Sequence, residues 1–197
     1  LAQIANAALD AALTGFEFAA GIPGTLGGAV VMNAGAYGGE MKDVLTSVRV
    51  MTEEGEIMEL PAEELGLGYR TSIIPEKRYI VLGAVISLTE GKKEEIKAQM
   101  DDLRQKRVSK QPLEYPSAGS TFKRPEGYFA GKLIQDAGLR GFQVGGAQVS
   151  EKHCGFVINK GNATAADVME LIRQVTAKVK EDTGVTMEPE VKQIGEF

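Results

Sequence analysis

The 197-residue chain has no tryptophan, one histidine and one cysteine. One cysteine cannot close an internal disulfide, and with one histidine it cannot build a zinc cluster, so no metal site is expected. There is no surplus of positive charge. The 22 Lys and Arg against 27 Asp and Glu leave a net charge of −5, which sets a nucleic-acid partner aside. No apolar run approaches the roughly 20 residues of a membrane helix. The longest candidate, residues 79–88 (YIVLGAVISL), has the length of a buried strand instead. The chain also lacks a starting methionine and a signal sequence, opening directly on LAQIANAALDAALTG. The expectation is a cytoplasmic protein whose chain starts inside a longer one.

What is present is ordinary globular material. Hydrophobic residues make up 43% and charged residues 25%, enough to bury a core and too apolar for a disordered chain. Residues 1–13 place Leu1, Ile4, Ala8 and Ala11 on one helical face, with Gly15 as a stop. LTSVRVM and IMEL, joined by EEGE, predict a hairpin from Leu45. A charged helix is predicted over 92–107, with Ile96, Met100 and Leu103 inward, then a Pro/Ser/Gly loop over 110–125. A short helix (127–137) and two strands (142–149 and 155–159) follow. Thr164 and Asp167 open a helix to about Asp182, striped by Val168, Leu171, Ile172, Val175 and Val179, with Gly184 at the exit. A last strand is predicted over 185–194. The boundary falls near the end of the charged helix, dividing the chain into 1–108 and 109–197.

Four segments and one lone residue have the residue types for chemistry. GIPGTLGG has too many glycines for a regular helix or strand and too much apolar character for a surface loop. It suits either close approach of a phosphate or planar ring to the main chain, or a tight junction. Its spacing is not GxGxxG. In Tyr69-Arg70-Thr71-Ser72 an arginine in a loop suits a bidentate carboxylate partner or a surface ion pair. Ser117-Ala118-Gly119-Ser120-Thr121-Phe122-Lys123 exposes a hydroxyl near a cation, or is an ordinary turn. Met187-Glu188-Pro189-Glu190-Val191-Lys192 places two acids on one face of an extended segment, where solvated acids are the commoner outcome. His153 reads as a structural residue before a catalytic one, and Cys154 as a packed thiol.

Taken together and in order, AGIPGTLGGAVVMNAGAYGG, YRTS, SAGSTFKRP, GLRGFQVGGAQVSEKHCGFVINKGNAT and EPEVKQIG resemble the UDP-N-acetylenolpyruvoylglucosamine reductase family of peptidoglycan synthesis. The resemblance covers essentially the whole chain and points to the shorter subtype, since no long insertion separates Arg70 from Ser120. It implies an α+β fold: part of an FAD-binding domain of the vanillyl-alcohol-oxidase type, then an α+β substrate domain. It also implies an oxidoreductase in which NADPH reduces FAD. Hydride then goes to C3 of the enolpyruvyl group of UDP-N-acetylglucosamine enolpyruvate, and a proton goes to C2.

The resemblance implies roles for individual residues. Arg70 and Glu190 match the pair that polarises the substrate carboxylate, and Glu190 has to be protonated or hydrogen-bonded to assist an anion. Ser120 matches the proton donor. Gly21, Ile22, Pro23, Gly24, Thr25, Gly27, Gly28 and Asn33 match the flavin-lining stretch, through main-chain contacts. Lys110, Lys123, Arg124, His153 and Lys192 are the expected diphosphate partners. Family members also carry an upstream loop for the FAD pyrophosphate, which nothing before Leu1 supplies. The expectation is therefore a chain that by itself binds FAD weakly or not at all, and that exposes apolar surface at residues 1–13 and on the strand near Tyr79. The alternative from a different class is a non-catalytic nucleotide-sugar binding module. It would use Lys123, Arg124 and His153 and have no need of the glycine segment. The oligomeric state is left open.

Overall fold

The computed structural model describes residues 1–195 as an α+β chain that divides into two compact units, Leu1–Arg107 and the part from Val108 onward. Each unit has its own core.

In the first unit, α1 (Ala2–Asp10) buries Ala5 and Ala8. It stops short of Gly15: Ala11 caps it and Ala12 takes the left-handed conformation (φ 55°). A two-stranded pair joins β1 (Leu13–Thr14) to a strand introduced below. The reading of GIPGTLGG as too glycine-rich for a regular helix is corrected: Leu26, Gly27 and Gly28 form the first turn of α2 (Leu26–Val31), because the Thr25 cap, whose Oγ1 accepts the Gly28 N–H at 3.1 Å, and the following Ala-Val-Val sustain a short helix there. The small hairpin of β2 (Gly35–Ala36) and β3 (Gly39–Glu40) follows. The predicted larger hairpin is present as β4 (Leu45–Met51) and β5 (Ile57–Pro61). β4 buries Leu45, Val48 and Val50, and it is the central strand because it pairs with a neighbour on each edge. β6 (Ile80–Ile86) lies at the edge in the order β5-β4-β6, so the reading of 79–88 as a buried strand is corrected, while the apolar surface expected on the strand near Tyr79 is present. Ile80, Leu82 and Val85 are about half exposed (55, 47 and 52%). Its continuous apolar run says nothing about how many neighbours cover it. β7 (Thr89–Glu90) pairs with β1, and α3 (Lys93–Lys110) buries Ile96. α3 runs past the predicted end at Arg107, because the helix-breaking Pro112 comes only after Lys110.

The second unit has a four-stranded antiparallel sheet ordered β8-β11-β10-β9. Its strands are β8 (Ser117–Ser120), β9 (Gln143–Val144), β10 (Ala147–Val149) and β11 (Phe156–Asn159). The single strand predicted over 142–149 is a hairpin instead. Gly145 and Gly146 form its two-residue turn, Gly145 with φ 52°, which glycine adopts without a steric penalty. α4 (Ala130–Asp136) and α5 (Ala165–Thr183) pack on the sheet, and Ile134, Leu171, Val175 and Val179 are fully buried there. α5 has the predicted ends. Thr164 and Asp167 form a reciprocal capping box, and Gly184 exits left-handed (φ 73°). Thr164→Ala should lower stability by about 1 kcal/mol, read from the urea midpoint at unchanged slope.

The strand predicted over 185–194 is not formed. An isolated bridge pairs Phe122 with Pro189, flanked by Lys123 N–H to Glu188 O and Glu190 N–H to Thr121 O, both 2.8 Å. Proline is tolerated because its missing N–H belongs to the pair that makes no direct hydrogen bonds. Beyond Glu190 no strand pairing continues to Gly195.

Candidate functional site

Residues 21–28 form a largely solvent-facing turn in which glycine leaves the main chain bare. Gly24 has φ +139°, and a Cβ there would meet nothing within 4 Å. At Gly21 a Cβ would stand 2.7 Å from Arg107 Nε, so that position admits only glycine unless the arginine moves. A flat ring or phosphate can approach the bare backbone at Gly24, but the expected flavin-lining residues are not all donors: Pro23 has no N–H, and the Ile22 and Gly28 N–H groups are taken by Ala19 O and Thr25 Oγ1. Asn33 differs from these. It is 1% exposed, and its side chain bonds within the protein: Nδ2 donates to Glu40 Oε2 (2.6 Å) and Gly68 O (3.1 Å), and Oδ1 accepts from Lys42 N (2.9 Å). Its side chain is a structural post, so only its main chain is left to line a cofactor.

Gly68 and Thr71 exchange backbone hydrogen bonds (3.2 and 3.3 Å) around Tyr69 and Arg70. Arg70 is at φ 56°, uncommon for a residue with a Cβ, and its guanidinium lies 5.1 Å from the Tyr69 ring centroid. Ser72 is buried. Its Oγ donates to Val31 O at 2.8 Å and accepts from Ile74 N at 3.3 Å. The arginine thus sits on a tight turn that is hydrogen-bonded to the end of α2.

In the second unit Ser120 ends β8 just after Gly119, which is left-handed (φ +88°). Ser120 is exposed, and its hydroxyl makes one long hydrogen bond, to Phe122 O at 3.4 Å. Glu190 is half-buried and bound through its N–H to Thr121, the next residue after Ser120. The structure thus sets the backbones of Ser120 and Glu190 one residue step apart. Glu188 instead forms an ion pair with Lys123. Arg124 Nε donates to Tyr128 O (3.3 Å), and its guanidinium stacks 4.0 Å over the Phe129 ring. Lys192 is exposed and lies beyond the bridge at Pro189, where no strand pairing continues.

His153 is half-buried, and burial first, then the Lys110 charge, push its pKa below the usual histidine value. Its Nδ1 accepts the Gly155 N–H at 3.0 Å, which places the proton of the neutral ring on Nε2. It therefore offers a phosphate a neutral N–H rather than a cation. Lys110 ends α3, exposed.

Sequence reasoning missed two supports. Thr121 accepts the Glu190 N–H through its carbonyl and the Val157 N–H (3.0 Å) through Oγ1, tying the serine strand to the acidic segment. Ser72 was noted only as part of a motif. A small hydroxyl amino acid carries no sequence signal of partners 36 to 41 residues away.

A profile described as FAD binding domain matches residues 1–61, and one described as UDP-N-acetylenolpyruvoylglucosamine reductase, C-terminal domain, matches residues 111–194. A UDP-N-acetylenolpyruvoylglucosamine reductase of Agathobacter rectalis is 66% identical over 197 residues, covering 100% of this chain and 63% of that protein. The reductase of Caldanaerobacter subterraneus subsp. tengcongensis is 61% identical over 196 residues, covering 100% of this chain and 65% of its own length. The crystal structure of the reductase from Thermus caldophilus superposes with a TM-score of 0.85 at 40% identity, over 96% of this chain and 68% of that one. The chain spans a little under two thirds of the length of the curated relatives it matches. With fold, domain order and sequence in agreement, the chain belongs to the UDP-N-acetylenolpyruvoylglucosamine reductase family.

Proposed function

We propose that the protein carrying this chain reduces UDP-N-acetylglucosamine enolpyruvate to UDP-N-acetylmuramate, with FAD as cofactor and NADPH as reductant. The observation that carries the reading is Arg70. This cationic residue is held in a sparsely populated backbone conformation, on a turn whose flanks, Gly68 and Ser72, are hydrogen-bonded to the end of the helix that the bare glycine stretch leads into. The family membership supports the substrate, and the match of residues 1–61 supports the cofactor.

Bound FAD would supply hydride chemistry, accepting from NADPH and delivering to C3 of the enolpyruvyl group. This chain's residues do the rest. Residues 21–28 would receive the cofactor against bare backbone, with the Asn33 backbone at the far end of α2. Arg70 would pair with the substrate carboxylate, whose negative charge grows as C3 gains hydride, and Glu190 would carry the polarising role that the family resemblance gives it. Ser120 Oγ would give its proton to C2, a carbanion-like centre basic enough to take one from a hydroxyl. Lys123, Arg124, Lys110, Lys192 and the Nε2–H of His153 would serve the diphosphate, with Glu188 competing for Lys123. This chemistry fits the cytoplasm, where the nucleotide substrates are.

The complete protein loaded with FAD should be yellow. NADPH should bleach it, and the enolpyruvyl substrate should restore the colour. A complete protein that takes up no flavin, or a reduced one that the substrate fails to reoxidise, overturns the reading.

A further inference from the structure

We propose that Asn33 and Ser72 are positioning residues for Arg70, pinning the Tyr69–Arg70 turn to the end of α2 and so setting where its guanidinium meets a carboxylate. The proposal rests on the role given to Arg70 above. The turn is weakly held from within, its two closing hydrogen bonds being 3.2 and 3.3 Å long, while Arg70 occupies a left-handed conformation. Such a conformation persists when surrounding structure over-determines it.

Two anchors do so. Asn33 Nδ2 donates to the Gly68 carbonyl at 3.1 Å, at the start of the turn, and Ser72 Oγ donates to the Val31 carbonyl at 2.8 Å, just past its end. Both side chains are buried (1 and 8% exposed), so losing either bond leaves a polar group with little access to water. The Asn33 amide has one workable orientation. Its oxygen faces the Lys42 N–H, and its two hydrogens serve the Glu40 carboxylate and the Gly68 carbonyl. Asn33 is itself at φ 41°, a conformation asparagine tolerates better than most residues. Both anchors lie at the end of α2, the helix whose first turn is the glycine-rich stretch. The backbone of the Arg70 turn and the bare backbone are thereby parts of one hydrogen-bonded body, and the anchors set the angle at which Arg70 presents itself.

The test uses the complete holoenzyme with two alterations. Ser72→Ala removes one anchor. The double substitution of Asn33→Asp with Glu40→Gln removes the other without leaving two carboxylates facing each other. The new amide at position 40 can donate to the new carboxylate at position 33, while the Gly68 carbonyl loses its donor. Reduction by NADPH and reoxidation by the enolpyruvyl substrate are measured separately, each also in an Arg70→Lys background. Either alteration should slow reoxidation about tenfold or more, the scale of a misplaced binding group, and the loss should not multiply with that of Arg70→Lys. Reoxidation at the parent rate, losses that multiply, or an equal fall in both half-reactions overturns the proposal. Failure of the parent holoenzyme to be reoxidised at all overturns the functional reading instead.

Discussion

Ser120→Ala in the complete holoenzyme should slow reoxidation of the reduced flavin by the enolpyruvyl substrate by about 100- to 10,000-fold, the span of general-acid catalysis. Reduction by NADPH should stay near the parent rate, because in the proposed reaction the proton is needed only after hydride has reached C3. The geometry supports the separation. Ser120 ends a strand, exposed, with a single long bond from its hydroxyl to Phe122 O at 3.4 Å. Removing that bond costs the fold little, so a lost rate reports chemistry rather than unfolding. Stopped-flow absorbance of the flavin, with each half-reaction started separately, reads the result. Equal loss in both halves would contradict the assignment, and so would reoxidation at the parent rate.

Gly146→Ala should destabilise the second unit by about 3 kcal/mol, the upper end of the usual cost of overpacking. An added Cβ would stand 2.2 Å from the Gly161 carbonyl oxygen and 2.5 Å from the Ala163 nitrogen. Both are main-chain atoms, so no rotamer change relieves the clash. The Lys160 N–H bonds the Gly146 carbonyl at 2.9 Å and holds the two segments together. Gly161→Ala is the control. A Cβ there meets nothing within 4 Å, and stability should change by no more than about 0.5 kcal/mol. Urea unfolding followed by circular dichroism distinguishes the pair, and equal midpoints for the two variants would refute the close-approach argument.

Much of the fold was legible because local signals carry it. The stripe and capping box of α5 lie within the helix and its flanks, and the β4–β5 hairpin follows from alternation around a glycine turn. The candidate site was legible in a different way. Arg70, Ser120 and Glu190 stood out through the joint order of motifs, not through any pattern of their own. Arg70 lies in the first unit, and Ser120 and Glu190 lie in the second.

Local periodicity misled at β6, where YIVLGAVISL has the composition of a fully covered strand but occupies a sheet edge. It misled again over 185–194, where extended chain forms one bridge at Pro189 and no strand.

The sequence by itself determined α1, α3, α4 and α5, the main hairpin, the two-part order and the motifs that carry the family resemblance, because helix period, cap chemistry and turn composition act over a few neighbouring residues. Tertiary structure alone decided that Asn33 serves Gly68, that Ser72 serves Val31, that Glu190 hangs from Thr121 and that Gly146 has no room for a methyl. Each depends on which distant segment the folded backbone brings alongside. A hydrogen bond or a clash is set by that meeting in space, and no single side chain announces it in the chain.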